Sequence, residues 1–168
     1  MMFSIELVEG KDCPNELGPP EYDNHGGKTV GLLLQMLKSV FHSAWYIVLD
    51  SGFCVLQAII ELRREGVFAG ALIKKRRYWP TLVPGVHILE YFQDKAVGAV
   101  DSVSGLFHGI KYNIWCMKEP DYVMQIMATG GALSTVGGKE VKRFWRLGGE
   151  DNFATFNYAR PFEWHFKF

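Results

Sequence analysis

Residues 45–73 constrain the fold more tightly than any other stretch of this chain. Trp45 to Leu49 is a continuous apolar run of strand length that ends at Asp50, and Asp50-Ser51-Gly52 punctuates it. Phe53, Leu56, Ile59 and Ile60 then recur at helical spacing, with Arg63 and Arg64 in the last turn and Gly66 as the stop. Val67 to Ile73 is a second buried strand. Strand, helix and strand within about thirty residues make a βαβ unit, and its right-handed crossover makes the two strands parallel. Parallel strands are covered on both faces, so the chain needs a substantial core. It has the means: 168 residues, 48% apolar, 14% aromatic and 21% charged, which is globular composition and excludes disorder, collagen and coiled coil.

Other elements arrange themselves around this unit. Phe3 to Glu9 alternates apolar and polar residues as a half-buried strand does, and a Pro- and Gly-rich loop follows as far as Gly27. Val30, Leu33, Leu34, Leu37, Val40 and Phe41 form one broad apolar stripe, so the spacing predicts a helix over 29–41 that packs on the sheet. From Gly85 to His108 the pattern is weak and mixed. Ile110 to Met117 and Tyr122 to Ala128 read as a hairpin turning at Lys118 to Asp121, and Val141 to Leu147 reads as one more strand. The run Phe162 to Phe168 has the period of a strand. Because the pattern starts inside a strand and stops on an apolar run, the chain reads as a piece of something longer. The expected organisation is a βαβ portion over 1–80, an insertion-like segment over 81–109 and a hairpin-rich portion over 110–168.

Net charge is zero but unevenly spread. Up to His25 six acids face one lysine, leaving the remainder at +5, concentrated in Lys74-Lys75-Arg76-Arg77 and in Lys139 to Arg146. Such asymmetry suits a polyanionic partner, although an ordinary solvated surface gives the same count. No run approaches the length of a membrane span, and the first residues are no signal peptide. The three cysteines, Cys13, Cys54 and Cys116, are odd in number and far apart, which argues for a reducing compartment and against a disulfide framework or zinc site.

Asp50 is the most informative acid, because α/β sheets place ligands at the carboxyl ends of their strands. A carboxylate there can join others in holding a divalent metal, or Asp50 or Ser51 can simply cap the next helix; spacing alone favours the cap. Lys74 to Arg77 leave the second strand at the same edge, beside Tyr78 and Trp79. They can grip a phosphate backbone, form a solvated turn, or act as a nuclear-localisation signal. The five histidines show no metal-ligand spacing, and each reads as surface or satisfied core. Gly26-Gly27-Lys28-Thr29 lacks the first glycine of a phosphate-binding loop and reads as a helix N-terminus. Cys54 reads as a buried, inert thiol.

Tyr46 to Phe53, Leu62 to Gly66 and Ala71 to Pro80, in this order and spacing, resemble the piggyBac-like transposases, in particular the transposable element-derived proteins. Gly27 to Leu34 and the strand pair Tyr112 to Lys118 and Asp121 to Met127 extend the likeness. The resemblance implies an α/β, RNase H-like (DDE transposase) core, incomplete here, with a β-rich C-terminal part. It implies DNA as partner, cut and joined by Mg2+ or Mn2+ ions held by three Asp residues, with Asp50 the second of them. The first Asp of the family lies upstream of anything matching the start of this chain and the third just past its end, so the resemblance implies weak or no metal binding and no activity alone. Glu6, Glu9 and Glu163 are carboxylates near the two ends that nothing matches to those positions. DNA contact is expected at Lys74, Lys75, Arg76 and Arg77. A homo-oligomer or a full-length transposase is a further expected partner, and the nucleus, failing that the cytoplasm, the expected location. The competing readings are a non-catalytic DNA-binding or transposase-interacting module and an unrelated α/β metabolic or nucleotide-binding protein.

Overall fold

The computed structural model describes residues 26–74, 86–131 and 134–166. The expected strand at Phe3 to Glu9 lies outside them. The expected βαβ unit is present: β1 (Tyr46–Leu49) runs parallel to β2 (Phe68–Leu72), from Tyr46 opposite Phe68 to Leu49 opposite Ala71, and a helix at Leu56–Arg64 connects them. The apolar stripe before it forms helix α1 (Lys28–Leu37), extended by one 3-10 turn over Lys38–Val40. The connecting helix is therefore α2 (Leu56–Arg64).

Gly66 ends α2 in the way its sequence position suggests. With φ at 75°, it lets its own amide bond to Arg63 O and the Val67 amide to Leu62 O, satisfying the last carbonyls of the helix. The same turn holds the segment ahead of β1: His42 N donates to Glu65 O at 2.7 Å, Ala44 N to Gly66 O at 3.1 Å, and Phe68 N to Trp45 O at 2.8 Å. Both strands thus start from one hydrogen-bonded knot.

The rest of the sheet is antiparallel. Its order is β1-β2-β5-β4-β3, with β3 (Val100–Phe107), β4 (Ile110–Lys118) and β5 (Val123–Ala128) forming a meander. The β4–β5 hairpin closes at Lys118 opposite Val123, as expected. The weakly patterned stretch before it holds helix α3 (Val86–Phe92) and all of β3. β3 is an outer strand whose exposed positions need no apolar residue, and Ser102 and Ser104 blur its alternation.

Side chains alternate between two apolar clusters, one on each face of the sheet. Leu49, Ala69, Ala71, Tyr112, Ile114, Cys116, Val123 and Met127 join Val30, Leu33, Leu34, Ile59, Ile60 and Phe92 beneath α1, α2 and α3. Trp115, Met117, Met124, Ile126 and Ala128 face the other way, onto Tyr158, Ala159 and Phe162. Gly70 is required by this second face, where a Cβ would collide with the Tyr46 hydroxyl.

That second layer corrects the reading of the C-terminal run. Residues 160–166 are helix α4 (Arg160–Phe166), not a strand. Phe162 and Phe166 are four apart, so the same spacing that mimics a strand also serves one helical face, and Pro161 sits in the first turn, where its missing N–H costs nothing. Between β5 and α4 in chain order comes a separate two-stranded ribbon, β6 (Glu140–Leu147) and β7 (Glu150–Asn157). β6 matches its expectation; β7 was not foreseen. Among the described residues no helix is long and apolar enough to cross a membrane.

Candidate active-site edge

Asp50 stands at the carboxyl end of β1 in extended conformation, fully exposed. Its carboxylate Oδ2 accepts from the Gly52 amide at 3.3 Å, and its carbonyl accepts from Phe53 N at 2.9 Å. The capping role is therefore real, but it serves the single 3-10 turn Ser51–Phe53; α2 begins later, from Val55, with no side-chain cap. Amides of Gly52 and Ser51 hold the Asp50 carboxyl below its ordinary range, helped by the charge of Lys74 and by His165. At neutral pH Asp50 is an anion pointing into solvent.

Two groups share its neighbourhood. Lys74, exposed, follows the end of β2, and parallel pairing brings it to the same edge. His165 comes from α4, far along the chain. Burial lowers its pKa, Asp50 opposes that shift, and Lys74 adds to it. Among the described residues its buried Nδ1 has no hydrogen-bond partner. His165 is thus neither the surface nor the satisfied histidine expected from sequence. No local spacing could have revealed it, because only the packing of α4 across the sheet brings it near Asp50. The adjacent Trp164 ring packs against Tyr46 of β1, with centroids 5.0 Å apart.

The remaining candidates separate cleanly. Lys75, Arg76 and Arg77 lie outside the described residues, as do Glu6 and Glu9. Glu163 is buried and pairs with Arg160 at 3.5 Å. Cys54 and Cys116 are buried, and burial pushes both thiols up to about 12, which makes them inert. Gly27 is the N-cap of α1, with φ at 93°, so the Gly26-Gly27-Lys28-Thr29 motif is a helix start. In the second basic cluster both arginines are occupied. Arg143 Nε contacts both Glu119 carboxylate oxygens at 3.0 and 3.2 Å and its Nη2 reaches the Tyr158 hydroxyl. Arg146 pairs with Asp151 at 3.1 Å.

A two-ion centre needs several converging carboxylates. Among the described residues no three His, Cys, Asp or Glu side chains are grouped to hold a metal ion. Asp50 by itself does not fit such a centre, and no cleavage step is assigned to the described residues.

A five-stranded mixed sheet clad on both faces, with an ionised Asp where a parallel strand ends, places the chain in the class of mixed α/β proteins. Residues 1–151 match the family model described as transposase IS4, and the chain belongs to this family of DDE-type transposases. No curated protein and no solved structure gives a significant match.

Proposed function

We propose that the chain is part of a piggyBac-like transposase core of RNase H-like fold, related to metal-dependent DNA cleavage and strand transfer but inactive by itself. In this reading Asp50 is one carboxylate of the centre that holds Mg2+ or Mn2+ in the intact family. Lys74 and the Lys75, Arg76 and Arg77 that follow it contact DNA phosphates, and the protein works in the nucleus. The observation that carries it is the placement of ionised Asp50 at the end of β1 within the matched transposase region. The resemblance at Tyr46 to Phe53 and Ala71 to Pro80 supplies the piggyBac part. A second reading, a transposon-derived DNA-binding or transposase-interacting module without catalysis, draws on the exposed Lys74 beside Asp50, around which the described residues form no metal-holding group.

One experiment tests both. The purified chain is incubated with a DNA duplex and Mg2+ or Mn2+, and binding is followed across a salt series. The expected outcome is no nicking, with weak, sequence-independent binding whose log K falls against log salt with a slope of about −3 for three or four phosphate contacts. Replacing Lys74, Lys75, Arg76 and Arg77 by Ala flattens the slope. Metal-dependent nicking that vanishes in Asp50→Asn overturns the claim of inactivity, and an unchanged slope moves the DNA surface elsewhere.

A further inference from the structure

Among the described residues one edge of the β6–β7 ribbon is left unpaired, and its side chains are arranged to match themselves. Its loop fixes which groups face outward. Gly148 and Gly149 both have positive φ, 61° and 89°, as a two-residue hairpin loop requires, so Leu147 and Glu150 close it as a hydrogen-bonded pair. Counting back in twos, Arg143 opposite Ala154 and Lys139 opposite Tyr158 are also bonded pairs, the last seen directly as Tyr158 N to Lys139 O at 2.9 Å. The amides and carbonyls of Glu140, Lys142, Phe144 and Arg146 therefore point away from β7. Among the described residues no other strand pairs with them.

We propose that this edge is a homodimer interface, in which β6 pairs antiparallel with β6 of a second copy about a two-fold axis at Arg143. That register sets Glu140 opposite the partner's Arg146, and Lys142 opposite the partner's Phe144, each twice. Arg146 then lies between its own Asp151 and the partner's Glu140. Lys142, whose Nζ already sits 4.9 Å from the Phe144 ring and 4.6 Å from the Phe153 ring, gains the partner's Phe144. Phe144 and Phe153, 68% and 64% exposed with ring centroids 6.3 Å apart, acquire neighbours across the new seam. On the opposite face Val141 meets the partner's Trp145. The two Arg143 side chains meet at the axis, each neutralised by its own buried Glu119. Registers shifted by two residues lose the match: one sets Lys142 against the partner's Arg146, the other pairs Glu140 with the partner's Phe144. Symmetric pairing through β7 puts Asp151 opposite Thr155 or Asn157, with no cation to meet it. Charge complementarity thus selects the β6 edge and a second copy of this chain.

Sedimentation equilibrium of the full chain, without DNA or metal, tests the interface independently of any role in transposition. The wild-type chain is expected to be dimeric. Glu140→Arg and Arg146→Glu each create like-charge pairs across the seam and raise the concentration at half-dimerisation by roughly tenfold or more. Mixing these two variants in equal amounts makes both 140–146 pairs opposite again and restores the dimer. Phe144→Pro removes an outward amide that β7 does not use, so the hairpin survives, checked by circular dichroism, while the dimer is lost. A wild-type chain that stays monomeric at its highest soluble concentration overturns the proposal. So do single variants that dimerise normally, a mixture that stays monomeric, or a Phe144→Pro variant that remains dimeric.

Discussion

The five-stranded sheet and the β6–β7 ribbon use strands of similar length and reach stability by opposite routes. β4 and β5 bury side chains on both faces and have hydrogen-bonded neighbours on both sides. β6 and β7 alternate exposed and half-buried residues and, among the described residues, pair only with each other. A lone two-stranded ribbon is marginal in water. This one persists because its base is tied down: Val141 and Phe156 pack against the second cluster, and Arg143 reaches Glu119 beside the β4–β5 turn, which is 2% exposed. The sheet carries its own stability; the ribbon borrows.

The largest expected effect lies where the two regions share a core. Phe162→Ala empties a fully buried position beneath the sheet and should cost about 3–5 kcal/mol, whereas Phe153→Ala on the ribbon's outer face should stay within about 0.5 kcal/mol. Chemical denaturation of the two variants measures this. Equal costs would mean that the ribbon is as much core as the sheet.

A middle-sized effect separates anchoring from folding. Glu119→Gln removes the carboxylate that holds Arg143 and should cost about 1–2 kcal/mol, less than a fully buried pair because Arg143 still reaches water. Hydrogen exchange should show ribbon amides losing protection while β2, β4 and β5 keep theirs. Uniform loss across both regions would dissolve the distinction.

The smallest effect belongs to the sheet's working edge. Burial lowers the His165 pKa, so the folded state disfavours its protonation, and stability should decline as pH falls below about 6.5. Asp50 has a lowered pKa as well, so its contribution is present above the usual carboxylate value and is lost as pH falls through its own, more acidic, range. Thermal melts across pH should therefore show two windows. His165→Gln should remove the upper one, whereas Asp50→Asn should flatten the lower and enlarge the upper, because the Asp50 charge no longer supports protonation of His165.

Legibility from sequence followed burial. The βαβ unit could be read because both strands are continuously apolar and Asp50 and Gly66 punctuate them. α1 could be read because Leu33 and Leu34 are core and repeat with the helix. β3 could not, since an outer strand with Ser102 and Ser104 keeps no strict alternation. α4 looked like a strand because Phe162, Trp164 and Phe166 recur in twos, although only Phe162 and Phe166 share a helical face. At the candidate site, Asp50 and Lys74 were visible as ends of adjacent strands, but His165 was not, because its approach depends on how a helix from the far end of the chain crosses the sheet. The DNA contacts expected at Lys75 to Arg77 lie outside the described residues.

The knot at Gly66 also sets where the two charges of the working edge stand. The bonds of His42, Ala44 and Phe68 fix the amino ends, and the pairing then runs without a break from Tyr46 opposite Phe68 to Leu49 opposite Ala71. Asp50 and Lys74 therefore inherit their stagger from a turn at the other end of the strands. A one-residue slip at that turn would swing every side chain of one strand to the opposite face of the sheet and undo the juxtaposition of anion and cation.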